Sequence, residues 1–129
     1  MDALVSNQNG PAQLFNNRDP NSNHGVSFKT IGTRSNRNGC HAQFTLTAGG
    51  VRQVNTVRAG SSYLSCSDSR IYFGLGPVAQ IDKVEIRWPS GKKDMLKVVA
   101  ADAIYIVTEG KGITGKQPLS KTYDAVPRR

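Results

Sequence analysis

A chain of 129 residues holds one domain's worth of material and can bury a core without help from a metal or a disulfide. No apolar run approaches the ~20 residues needed to cross a bilayer. Met1-Asp2-Ala3-Leu4-Val5-Ser6 lacks the basic start and apolar stretch of a signal peptide, which leaves a cytosolic protein or a module of a longer chain. The net charge of +8, from 17 basic and 9 acidic residues, favours anionic partners, yet the charges are scattered and a solvated surface is the plainer reading.

Residues 1–24 are rich in turn formers: Asn7, Asn9, Asn16, Asn17, Asn21 and Asn23, with Gly10, Pro11 and Pro20. They read as a loosely ordered lead-in that docks through one apolar pair, Leu14-Phe15. Period-2 alternation then takes over. Val26, Phe28 and Thr30 alternate with Ser27 and Lys29, and Ala42, Phe44, Leu46 and Ala48 alternate with Gln43, Thr45 and Thr47. Gly49-Gly50 predicts a tight hairpin into a weaker strand over residues 52–58. Val84, Ile86 and Trp88 share one face of a strand that ends in the turn Pro89-Ser90-Gly91, where proline presets φ and glycine supplies a left-handed position. Strands follow over 93–99 and 103–108, with one helical turn expected across 98–103. Residues 110–129, with glycines, prolines and basic side chains, read as a tail. These features specify an all-β protein, a single antiparallel β-sandwich or small barrel-like domain of about six to eight short strands over residues 25–109.

Several phrases carry a resemblance as a set. They are Arg34-Ser35-Asn36-Arg37, residues 60–65 (Gly-Ser-Ser-Tyr-Leu-Ser), Phe73-Gly74-Leu75-Gly76, Val84 through Gly91, and the closing run from Ile104 to Glu109. In order and spacing they resemble the ASPIC/UnbV domain, a module that follows integrin-like FG-GAP repeats in the cartilage acidic protein family and in bacterial secreted proteins. Leu14-Phe15-Asn16-Asn17 is similar to the tail of a preceding FG-GAP blade. Two departures stand out. Gly39-Cys40-His41-Ala42 replaces a Gly-Ile-Gly-Ala-like phrase, and Gly25 stands where the family tends to carry a bulky apolar residue. If the replaced glycine has positive φ, His41 strains the turn, although histidine tolerates that region better than most residues. The resemblance implies a binding or structural module beside an extracellular propeller and no catalytic role.

The residues themselves offer one candidate ligand site. Arg34, Asn36 and Arg37 place two guanidinium groups and an amide in one loop, donors suited to carboxylate, sulfate or phosphate. The structural alternative has Ser35 and Asn36 capping the loop and the arginines paired with Asp68 or Asp82. Cys40 and Cys66 allow one disulfide, a bridge typically worth ~2–4 kcal/mol, against the alternative of two free thiols. His24, His41, Cys40 and Cys66 match no metal-ligand spacing, and Asp82, Asp94 and Asp102 match no calcium loop. As sequence neighbours on a strand, Cys40 and His41 would face opposite sides and form no nucleophile pair. Ser61, Ser62 and Ser65 lack a nucleophile elbow, and Gly74-Leu75-Gly76 is a bulge or bend signal and no dinucleotide fingerprint. Trp88, in phase with Val84 and Ile86, belongs to the core. The expectation is therefore a non-catalytic accessory module of a secreted, periplasmic or surface FG-GAP-type protein, without cofactor, metal or membrane span. Its partner is a protein or an adjacent propeller. An anion-binding module for acidic polysaccharide or single-stranded nucleic acid is the alternative, and an enzyme with an unrecognised site is the more distant one.

Overall fold

Strict alternation of apolar and polar side chains over 43–48 produces a strand whose inward residues, Phe44 and Leu46, are fully buried. The same logic builds most of the computed structural model, which describes residues 3–16, 22–60 and 63–119. Expectations placed on Asn17, Asn21, Ser61, Ser62 and residues 120–129 lie outside the described residues. The strands are β1 (Ala3–Val5), β2 (Gln13–Phe15), β3 (His24–Ile31), β4 (Gln43–Ala48), β5 (Val51–Thr56), β6 (Ile71–Gly76), β7 (Gln80–Arg87), β8 (Lys93–Ala100), β9 (Ala103–Thr108) and β10 (Gly112–Pro118).

Eight of them form two four-stranded sheets, ordered β10-β9-β3-β6 and β5-β4-β7-β8. The two sheets enclose a core centred on Phe28, whose ring lies 5.3 Å from Phe44, 5.9 Å from Tyr105 and 6.2 Å from Phe73, centroid to centroid. Among the described residues all pairings are antiparallel except β3 with β9, which run parallel, so the first sheet is mixed. The sandwich is nearly closed along one side. Gln53 and Asn55 of edge strand β5 donate side-chain N–H bonds to the Gly74 and Tyr72 carbonyls of edge strand β6, at 2.8 and 3.5 Å. These side chains satisfy acceptors that an unpaired edge would otherwise present.

The turns follow their sequence chemistry. Gly49 and Gly50, at φ 54° and 78°, make the two-residue β4–β5 hairpin, both centres having the positive φ that matches strand twist. The Pro89-Ser90-Gly91 turn joins β7 to β8, closed by the Gly91 N–H on the Trp88 carbonyl and the Trp88 N–H on the Lys92 carbonyl. Leu75 is the extra residue of a bulge in β6, since His24 pairs with Gly76 and Gly25 with Gly74.

Three expectations need correction. No helical turn forms across 98–103; β8 runs through Ala100, and a tight turn held by the Asp102 N–H on the Gly25 carbonyl leads into β9. The first part of the expected tail is β10, which pairs with β9 through its backbone. Its side chains are mostly exposed, so it has no apolar alternation to read. Leu14 and Phe15 do not dock. They lie on the β1–β2 hairpin and remain 66% and 57% exposed. Of the two alternatives left open for Cys40 and Cys66, the structure has the free thiols. Cys40 is tied by its backbone to Asn36, and the exposed Cys66 donates its thiol to the Ser67 carbonyl.

Four described non-glycine residues, His41, Leu64, Val98 and Asp102, have positive φ, and two of them bear on the reading of the sequence. Leu96 and Val99 on β8, and Ile81 and Val84 on β7, are all buried although three residues apart, which simple alternation forbids. Val98, at φ 51°, supplies the change of phase. His41 sits at φ 71°, two residues after Gly39 at φ 64°, so the departure noted in the sequence falls on a left-handed position. An L side chain there costs roughly 1–2 kcal/mol, and His41 is exposed. His41→Gly is expected to raise the urea-unfolding free energy by about 1 kcal/mol with an unchanged m-value. Lower stability would show instead that the imidazole makes a contact worth more than the strain.

Candidate functional site

The loop between β3 and β4 starts from two steric facts. A Cβ on Gly32 would lie 2.1 Å from the Asn36 carbonyl oxygen, so the loop can fold back only over a glycine. A Cβ on Gly39 would lie 2.7 Å from Cβ of Thr30 and 3.0 Å from the Trp88 ring, so the loop's return also passes tight against the core. Between them, the Gly32 N–H donates to the Arg37 carbonyl at 3.0 Å, and the Thr30 hydroxyl donates to the Asn38 carbonyl at 2.6 Å.

This fold-back aims three successive main-chain N–H groups, of Thr33, Arg34 and Ser35, at one point. Such a nest of donors is an anion site. The anion is the protein's own: Oε2 of Glu109 accepts all three at 2.8 Å. Oε1 accepts the Ser35 hydroxyl at 3.0 Å and the Ser90 hydroxyl. Glu109 closes the end of β9, with its N–H on the Ile31 carbonyl, and is only 2% exposed. Burial by itself would raise its pKa. The N–H of Ser35, the hydroxyl of Ser90 and the N–H groups of Arg34 and Thr33 more than reverse this and hold the carboxyl well below the usual carboxylate range. A second carboxylate works beside it. Asp94 accepts the Trp88 indole N–H at 2.8 Å and the Gly110 N–H at 2.7 Å, tying β8 to the turn after β9.

The structure therefore separates the predicted site residues. Asn36 is used on its own loop: its amide oxygen accepts the Cys40 N–H at 2.8 Å and its amide nitrogen donates to the Cys40 carbonyl at 3.0 Å. Arg34 and Arg37 are exposed, and among the described residues neither guanidinium forms an ion pair. The arginine partners expected from sequence are engaged elsewhere or distant in role. Asp68 binds Arg70 and the Tyr72 hydroxyl, which, against its partial burial, hold its carboxyl well below the usual range. Asp82 lies exposed on β7. His24 pairs through Nδ1 with Asp102 at 2.6 Å, away from Cys40 and His41 in role. Among the described residues no group of three or more His, Cys, Asp or Glu side chains comes together. Ser65 is exposed, and Trp88 is 2% exposed, as its phase predicts.

Glu109 is what the sequence reading missed, although the signal was present. Arg34-Ser35-Asn36-Arg37, Pro89-Ser90-Gly91 and the run ending at Glu109 are three separated phrases, and all three meet at this carboxylate.

The family described as ASPIC and UnbV matches residues 32–114, well over half of the chain. The chain belongs to the ASPIC and UnbV family. The matched range opens at Gly32, the first residue of the Glu109 loop, and ends within β10. Strand β3, which lies between β9 and β6 in its sheet, precedes the matched range. A search of curated proteins finds no match.

The depressed pKa of Glu109 sets a pH window. The unfolded chain binds this proton around the ordinary value of 4.5, and the folded protein does so only at much lower pH. The stabilisation is fully present above about pH 4.5 and is lost as pH falls toward the folded value, because the unfolded state then binds more protons. Glu109→Gln is expected to cost about 2–4 kcal/mol at pH 7. It should also flatten the acid limb of the stability curve relative to the parent, leaving the contribution of Asp68. Chemical denaturation of both proteins across pH 3–7 checks this; parallel curves would contradict it.

Proposed function

We propose that this chain is a non-catalytic interaction module that packs beside an FG-GAP propeller in a secreted or surface protein. The observation that carries the reading is the β1–β2 hairpin. It pairs Ala3–Val5 with Gln13–Phe15 and exposes Leu4 (71%), Val5, Leu14 and Phe15. A two-stranded hairpin is marginal in water without further strands or a packed face, and four exposed apolar residues on one short ribbon call for a cover. Strands of a preceding propeller blade would supply both. The family's association with FG-GAP proteins supports that neighbour.

The non-catalytic part of the reading rests on how the carboxylates are used. Glu109 and Asp94 are bound to main-chain and indole N–H groups, Asp68 to Arg70 and Tyr72, and Asp102 to His24. Glu109 in particular is an ionised acceptor held far from a general acid's working range.

Amide hydrogen exchange tests the hairpin directly. The amides of Ala3–Val5 and Gln13–Phe15 should exchange at near-unprotected rates in this chain by itself. They should become strongly protected when an FG-GAP propeller is joined before it, with the β3–β10 amides unchanged. Equal exchange in both forms would overturn the docking. Turnover in a hydrolase screen by the chain, lost with a described side chain, would overturn the non-catalytic reading.

A further inference from the structure

The outward face of the β5-β4-β7-β8 sheet carries a charge arrangement that the Glu109 site does not explain. The strand register places side chains on it in rows. One row runs Arg52, Thr47, Lys83, Lys97, and another runs Thr56, Gln43, Arg87, Lys93. Between them lie Val54, Thr45, Glu85 and Met95. The two basic rows are four residues apart along the strands, about 13 Å. Five cations thus share the face with one carboxylate, Glu85, which is itself paired with Lys83. Glu85 feels the whole group: its carboxyl is held below the ordinary range by Lys83 first, and then by Arg52 and Lys93. The middle of the face is a shallow depression of about 370 Å³ bordered by Thr45, Arg52, Glu85, Arg87, Lys93 and Met95. Asp94 also borders it, with its carboxylate committed to Trp88 and Gly110.

Two of these cations face each other directly in each row. Lys83 pairs with Lys97 and Arg87 with Lys93 across neighbouring strands. Like charges in direct register destabilise a sheet. Lysines on β8 have a structural purpose, because β8 is an edge strand and charged edges resist aggregation. That purpose does not extend to Arg87 and Lys83, which lie on the interior strand β7. A fold that sets Lys83 and Arg87 of an interior strand opposite lysines of β8 has a surface suited to negative charge.

We propose that this sheet face binds an acidic polysaccharide, a linear chain of sulfate- or carboxylate-bearing sugars, through Arg52, Lys83, Arg87, Lys93 and Lys97. Charge complementarity along two parallel rows suits a ligand whose anionic groups repeat. Single-stranded nucleic acid suits it less, because such ligands are held by bases stacked on exposed aromatic rings. Among the described residues no aromatic side chain lies in these rows, and Phe28, Phe44, Phe73, Trp88 and Tyr105 are buried in the core. The site differs from the Arg34–Arg37 loop, whose main-chain donors already hold Glu109. The proposal is independent of the propeller reading, which concerns the β1–β2 hairpin.

The experiment uses heparin as the probe and two charge-matched variants of the full chain, Arg87→Ser/Lys93→Ser on the face and Arg34→Ser/Arg37→Ser on the loop. Heparin affinity is measured by titration at several salt concentrations. The parent should bind with an affinity that falls steeply with salt. The face variant should lose at least about tenfold and reduce the salt slope by roughly two, and the loop variant should change by less than about threefold. Lys93→Glu/Lys97→Glu, both on the exposed edge strand, should give a larger loss, which guards against misfolding of the first variant. Equal losses in the face and loop variants would reduce the effect to net charge and overturn the proposal. So would the absence of binding at low salt, or tighter binding of an oligothymidylate than of heparin with dependence on the same residues.

Discussion

A single buried carboxylate organises one end of this molecule. Glu109 directly follows β9 of one sheet, accepts three N–H groups from the loop that follows β3, and accepts the hydroxyl of Ser90 from the turn that joins β7 to β8 in the other sheet. Packing across the core holds two sheets face to face without fixing how loops at their ends lie. A charge in a low-dielectric site is costly unless its acceptor positions are filled. That cost forces the loop and the turn into the one arrangement that fills them. Asp94 repeats the device beside it with Trp88 and Gly110, so the largest core side chain is also positioned by a carboxylate.

This arrangement changes the meaning of the loop. A run such as Arg34-Ser35-Asn36-Arg37 suggests an anion site, and its backbone is one, but the occupant is internal. Ser35 and Asn36 serve the loop's own geometry through Glu109 and Cys40. The cationic surface suited to an external anion lies elsewhere, on a sheet face whose residues are spread over four strands and meet only through register. The two features divide the anion chemistry of the chain between structure and recognition.

Much of the fold was legible where packing imposes a period. Phe44 with Leu46, and Val84 with Ile86 and Trp88, show alternation because one face of each strand is buried. Gly49-Gly50 and Pro89-Ser90-Gly91 were readable because their turns demand particular φ values. What was hidden lacks such a signal. β10 is held by backbone pairing at an edge and buries little, so Gly112–Pro118 looks like a tail. The helical turn expected over 98–103 arose from a pattern that Val98 interrupts, since its left-handed backbone puts Leu96 and Val99 on the same side. The parallel partnership of β3 and β9 joins residues nearly eighty positions apart and leaves no local trace. At the site, Asn36 and the loop arginines could be picked out by type, but Glu109, the partner of the loop's backbone, could not. Hydrogen bonds from a backbone nest to a distant glutamate depend on loop conformation, and no side-chain pattern within the loop encodes it.

Glu109 is an ionised, internal ligand of the 33–35 loop. Titration of its side-chain carboxyl carbon by NMR tests this most directly. Glu109 should stay ionised well below pH 4.5, its ordinary value, while the amide signals of Thr33, Arg34 and Ser35 stay fixed over the same range. A Glu109 midpoint near 4.5, with those amides unaffected by its protonation, would contradict it.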